Sequence, residues 1–101
     1  MIIYNVTIKV ENQITNEWLA WMKKEHIPEL MSTGLFTDAR LCRLLEQDET
    51  DGVTYIAQYF CKDIEAYQAY ISEHSTTMRD KSFARFGNRF IAFRTLMQIE
   101  D

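Results

Sequence analysis

The sequence predicts a single α+β domain of order βαββαβ, and three observations predict it. Four segments alternate side to side and are rich in β-branched or aromatic residues, two carry apolar residues at helical spacing, and polar turn signals separate them. The composition agrees: 101 residues, 47% hydrophobic and 26% charged, make one ordinary globular domain spanning 1–101, with no linker or repeat. At this size folding removes roughly two thirds of the chain's surface from water. Six Phe, five Tyr and two Trp supply a core that needs no disulfide. Fifteen acidic against eleven basic residues leave a net charge of −4, which disfavours nucleic acid and an anionic membrane surface as partners. No run of 18 apolar residues occurs, and the first residues, Met1 to Asn5, carry neither a basic region nor a cleavage site. The expected location is the cytoplasm.

Ile2 to Val10 sets Tyr4, Val6, Ile8 and Val10 against Ile3, Asn5, Thr7 and Lys9, the pattern of a first strand. Thr15 is placed to cap a helix whose inward stripe is Trp18, Met22, His26 and Leu30, with Trp21 alongside. Pro28 lacks an N–H and disfavours helical geometry at Ile27, so a bend is expected over Glu25 to Pro28 before Gly34 ends the helix. Phe36 to Glu46 reads as a second strand, Gln47 to Gly52 as a turn, and Val53 to Cys61 as a third strand completing a hairpin. With Gln47 opposite Val53, Cys42 faces Gln58 and stands too far from Cys61 for a bridge, so both thiols are expected to be free in a reducing compartment. Asp63 caps the next helix, whose expected inward stripe is Ile64, Tyr67, Ile71, His74 and Met78, with Tyr70 on its flank. Thr77 and Asp80 resemble a second capping start, which predicts a break near Ser75. Phe83 and Phe86 extend the apolar face to Gly87, and Arg89 to Ile99 forms the last strand.

Two split βαβ units of permitted handedness give a ferredoxin-like sandwich: a four-stranded antiparallel sheet with both helices on one face. A sheet with one wet face should alternate cleanly. The last strand instead has Phe90, Ala92 and Leu96 on one side and Ile91, Phe93 and Met97 on the other. Helices cover one face only, so a second copy of the same sheet is expected on the other, making a homodimer.

Trp18, Trp21, His26, Pro28 and Gly34, in a βαββαβ chain of this length with two-sided strands, resemble the dimeric α/β-barrel superfamily. That resemblance implies two ferredoxin-like subunits packed sheet to sheet, each with a pocket between sheet and helices. The segments EWLAWMKKEHIPELMSTGLFTDARLCRLLEQDE and TYIAQYF are similar to a small bacterial family of unknown function within this superfamily. His26-Ile27-Pro28 followed by Gly34-Leu35 resembles a pattern of several superfamily enzymes, including ethyl-tert-butyl-ether-degradation-type proteins, in which the histidine faces the pocket. The superfamily holds cofactor-independent monooxygenases, the enzyme class this resemblance implies, and haem-degrading ones. The haem type has an Asn on the first strand, an aromatic in the sheet and a His on the second helix. Asn5 and His74 match the first and third, but Tyr55, Tyr59 and Phe60 stand where its tryptophan would be. The expectation is no cofactor, with haem the alternative.

His26 is the candidate catalytic residue, because a partly buried imidazole titrates near neutrality and can donate or accept a proton. Asn5, Thr7, Arg43, Gln58 and Arg94 are polar positions in apolar strands, and buried polar groups either lock an interface or orient a ligand; of these, Asn5, Arg43 and Gln58 are the ligand candidates. With Trp18, Met22, Tyr59 and His74 they complete the candidate ligand-binding set. Neither helical stripe offers a His, Cys or carboxylate three or four residues from its histidine, so no metal site is expected. Aligning Gly52 with the glycine of a calcium loop puts Gln47 and Gln58 at the two positions that require carboxylates, which excludes that reading. An RNA-recognition module needs a basic residue and a Gly in the third strand, and Val53 to Cys61 has neither. The expected function is a small, mainly apolar ligand bound between sheet and helices, with a non-catalytic dimeric module as the alternative. A cavity of a few hundred Å³ lined by His26 favours the first, and a packed interior the second.

Overall fold

The structure, a computed structural model, describes residues 1–101. Its elements are β1 (Ile2–Val10), α1 (Thr15–Trp21), α2 (Ile27–Ser32), β2 (Asp38–Arg43), β3 (Val53–Cys61), α3 (Ile64–Glu73), α4 (Ser75–Phe86) and β4 (Phe90–Gln98). The sheet order is β2-β3-β1-β4, antiparallel throughout, which is the ferredoxin-like topology. Each expected helix is divided in two, so the helical layer has four segments.

β1 is central, and its register fixes the faces. Tyr4 pairs with Tyr59 on one side and Leu96 on the other, so these three share a face. The even residues of β1 and the odd residues of β3 point to the helices, and Tyr4, Ile8, Val10, Tyr55, Ala57 and Tyr59 are buried there. Asn5 pairs with Gln58 and lies on the opposite, outer face. On that face Ile91 and Phe93 of β4 are 60% and 66% exposed, beside the part-buried Ile3, Ile56 and Phe60. The two-sided alternation of β4 is therefore an uncovered apolar surface.

The path from α1 to α2 carries the first functional detail. A single π-helical turn, Met22–His26, joins them. Pro28, at the second position of α2, cannot donate to the carbonyl four residues back, and its ring crowds that carbonyl. Widening the preceding turn relieves the clash without breaking the helix. Thr15 does not cap: its hydroxyl donates to the Glu11 carbonyl at 3.0 Å, because a 3₁₀ turn over Asn12–Ile14 already leads into α1. Asp63 does cap α3, its carboxylate accepting the Ala66 amide at 2.9 Å. His74, with φ −128° and ψ −28°, separates α3 from α4, one residue before the expected break.

Three details of the second half depart from the sequence reading. Strand β2 is shorter than Phe36 to Glu46, because Phe36 turns into the core against Tyr59 and Tyr70 and Glu46 adopts a left-handed φ of 58°. Cys42 pairs with Ile56 rather than Gln58, a slip of two residues. Asn12 tethers the loop by donating to the Glu49 and Thr50 carbonyls at 3.1 Å each, and a two-residue slip leaves every side chain on its face. Tyr70, not its neighbours, is the centre of the α3 stripe: it is buried while Ile64 is exposed, and Phe83 of α4 is 63% exposed. Cys42 and Cys61 are both free. No helix is long and apolar enough to cross a membrane.

Gly52 sits where β3 enters beside the end of β1. A Cβ there would lie 2.8 Å from the Val10 carbonyl oxygen, a backbone atom that cannot swing away. Gly52→Ala is expected to destabilise the fold by roughly 1–3 kcal/mol through overpacking, read as a lowered urea midpoint at unchanged slope.

Candidate functional site

Between the sheet and the helices lies a cavity of about 50 Å³. Its floor is Tyr4, Val6, Ile8, Ala57 and Tyr59, and its roof is Trp18, Trp21, Met22, His26 and Leu30. One wall comes from Tyr70, Met78, Arg79 and Ser82, the other from Phe90, Ala92 and Arg94. Arg79 and Arg94 alone among these are exposed, so they mark where the cavity meets solvent.

His26 owes its place to the π turn. In an α-helix residues five apart point about 140° away from each other, whereas a turn bonded from i to i+5 stacks them. Trp21 and His26 are five apart, and their rings stack at 4.5 Å between centroids and 23° between planes. Phe86 packs edge-on against the same indole at 5.4 Å. This stack holds the imidazole at the cavity, and its Nδ1 is buried with no hydrogen-bond partner. Burial lowers the His26 pKa from 6.5 to about 4; Glu29 opposes the shift and Arg94 and Lys81 add to it. The ring is neutral at pH 7 and presents a nitrogen that the protein itself leaves unsatisfied.

Around it lies an aromatic cluster. The Tyr4 ring stands 6.4, 6.0, 5.5 and 5.6 Å from those of Phe36, Tyr59, Tyr67 and Tyr70. Burial pushes the Tyr59 and Tyr70 hydroxyl pKa values up, so both stay protonated. The Tyr4 hydroxyl accepts from Arg94 Nε at 3.1 Å, which anchors that guanidinium at the rim.

The structure brings His26, Trp18, Met22 and Tyr59 together on this cavity and separates the other four candidates from it. Asn5 and Gln58 lie on the outer face, where the Gln58 amide donates to Asn5 Oδ1 at 3.3 Å and Asn5 Nδ2 donates to the Thr7 hydroxyl at 3.4 Å. Arg43 is exposed and paired with Glu49. His74 sits at the α3–α4 break, 6.2 Å from the Tyr70 ring and outside the cavity lining. Asn5 and His74 thus occupy opposite sides of the sheet and cannot hold one haem between them. No three His, Cys, Asp or Glu side chains converge. Of the polar lining residues, Tyr4, Tyr70, Arg79 and Ser82 escape the sequence reading as site residues, and Arg94 is singled out there only as a polar position in an apolar strand. Arg94 shares its parity with Phe90 and Ala92, a signal usable only once the helix-facing parity is known.

Fold and site together define a ferredoxin-like α+β domain with a small aromatic cavity under its helices and an uncovered outer sheet face. The chain belongs to the family described as domain of unknown function DUF4286, which matches residues 1–100. No curated protein matches it. Among solved structures it is similar to a dimeric ferredoxin-like protein from an uncultured marine organism, with a TM-score of 0.66 at 16% identity over 99% of this chain and 97% of that one. An ethyl tert-butyl ether (EthD) family protein from Bacillus halodurans gives 0.68 at 10% identity over 99% and 100%. A candidate antibiotic biosynthesis monooxygenase from Bacillus cereus gives 0.61 at 12% identity over 99% and 95%. At these identities the likeness is one of fold.

Because the folded His26 pKa lies below its unfolded value, the unfolded chain takes up the proton first as pH falls. Stability that this histidine contributes above pH 6.5 is lost on the way down to about pH 4, in total about 3 kcal/mol. His26→Phe keeps the ring stack and removes the unpaired nitrogen. It is expected to raise stability at pH 7.5 by roughly 1 kcal/mol and to widen its advantage by about 2–3 kcal/mol at pH 4.5. Urea denaturation of both proteins at the two pH values reads it; parallel pH profiles would refute it.

Proposed function

We propose that this chain binds a small, mainly apolar ligand in the cavity under His26, in a homodimer joined through the outer sheet faces. The observation that carries the reading is the buried, unpartnered His26 Nδ1 held at the cavity. A buried polar atom left without a partner costs stability, so its retention beside an aromatic cavity is explained by a ligand group that completes it. A neutral imidazole accepts a hydrogen bond or a proton from a ligand O–H or acidic C–H. That is the role a monooxygenation of the kind named for the Bacillus cereus neighbour would give it, here proposed to run without a cofactor. The marine neighbour's dimer and the exposed Ile91 and Phe93 support the sheet-to-sheet pairing. The two free thiols support a reducing, cytoplasmic setting.

The cavity volume favours a second reading. At about 50 Å³ it falls short of the roughly 300–1,000 Å³ of ordinary ligand sites, as a non-catalytic dimeric module with a nearly packed core would have it. A thermal-shift screen separates the two. A ligand at a hundredfold excess over its Kd adds roughly 2.7 kcal/mol of apparent stability, and that gain is expected to vanish in His26→Ala. A screen with no shift for the wild type leaves the second reading standing.

For the assembly, light scattering at micromolar concentration is expected to give a dimer for the wild type and a monomer for Phe93→Asp, which places a charge on the exposed outer face of β4. A monomeric wild type sinks the dimer.

A further inference from the structure

We propose that the ligand of this cavity is a monoanion, a small carboxylic acid with a short apolar body, its carboxylate held between Arg79 and Arg94 at the rim. This rests on the reading of the cavity as a ligand site and adds the chemical class it takes. The first support is a pattern of pairing. Arg40, Arg43, Arg85 and Arg89 each stand within 4.0 Å of a carboxylate. The remaining two arginines, Arg79 and Arg94, have no such partner, and both line the cavity.

The second support is what the cavity lacks. The chain carries fifteen Asp and Glu against eleven Lys and Arg, yet no carboxylate lines the cavity. His26 is neutral there, so the lining brings two positive charges and no negative one. An acidic protein that concentrates unpaired guanidinium groups at the mouth of an apolar recess attracts anions to that point.

The third support is geometry. Arg94 gives its Nε hydrogen to the Tyr4 hydroxyl, which fixes the plane of the fork and leaves both Nη groups for an end-on, two-point contact with a carboxylate. Behind the rim the lining is mostly apolar, with 13 of its 17 residues hydrophobic. Such a recess solvates a hydrocarbon tail and holds hydroxyls but no further cation for the outer oxygens of a phosphate. A planar carboxylate with its charge at the rim and its tail towards His26 and Tyr59 fits both halves.

The test compares butyrate with butyramide, which has the same shape and no charge, titrated into the full chain and followed by amide and side-chain NMR shifts. Butyrate is expected to bind at least tenfold tighter at low salt, perturbing Trp21 and His26. The Arg79→Gln/Arg94→Gln double variant is expected to bring butyrate to the affinity of butyramide. Lengthening the acid from acetate to butyrate is expected to tighten binding about fourfold per methylene. Because Arg94→Gln also removes a Tyr4 contact, Arg79→Gln alone serves as the second variant and is expected to cost at least threefold for butyrate and nothing for butyramide. Equal affinity of the two probes for the wild type overturns the anion inference and leaves the cavity reading intact. If neither probe moves the Trp21 and His26 signals, the cavity reading falls and the inference with it. Tighter binding of inorganic phosphate than of butyrate overturns the carboxylate assignment.

Discussion

Every residue of β1 from Ile2 to Val10 is paired on both sides, and that double register decides which face each side chain of the sheet occupies. Strands β3 and β4 inherit their parity from it, and β2 inherits its own through β3. Tyr4 lies near the middle of this arrangement. Its ring touches the aromatic cluster that joins sheet to helices, and its hydroxyl reaches the edge strand at Arg94. One side chain thereby couples the floor of the cavity to its rim. The opposite parity forms the outer surface, where Asn5, Thr7 and Gln58 bond to one another amid apolar neighbours, a polar pattern suited to registering one sheet on another.

The site depends on a local departure from regular helix. A proline at the start of α2 is tolerated because the turn before it widens, and the widened turn brings Trp21 and His26 into a stack. The stack, not a hydrogen bond, holds the imidazole in place. A ring held by stacking leaves Nδ1 without a hydrogen bond, and the same ring lines the cavity. A buried nitrogen without a partner costs stability at that point.

Electrostatics separate the surface from the cavity. Around the outside, arginines and lysines meet carboxylates in exposed pairs such as Lys9 with Asp51 and Arg85 with Glu17, each worth little in water. At the rim the guanidinium groups of Arg79 and Arg94 border an apolar recess and have no carboxylate beside them. The same residue type is thus paired with a carboxylate in one place and left without one beside an apolar recess in the other.

Much of this was legible in the sequence, for physical reasons. Period-two alternation located β1, β3 and β4, the Asp63 cap marked α3, and Pro28 marked the bend, because each is a local consequence of backbone geometry. The stripe of Trp18, Met22 and His26 likewise found the roof of the cavity. What the sequence could not decide was which parity faced the helices. Asn5, Gln58 and Arg94 have the same polar character whichever face they occupy, and Arg94 separates from the other two only when Leu96 and Tyr4 are seen to share its side. Tyr70 displaced its neighbours as the centre of the α3 stripe because its place is set by Tyr4 and Phe36 across the core, not by spacing along the helix. Local sequence determined which elements form, since that follows from backbone sterics and capping, while the ends of β2 and the start of the first helix were set by contacts beyond it. Only the tertiary structure decided the faces, and with them the site, because a face is defined by what packs against it.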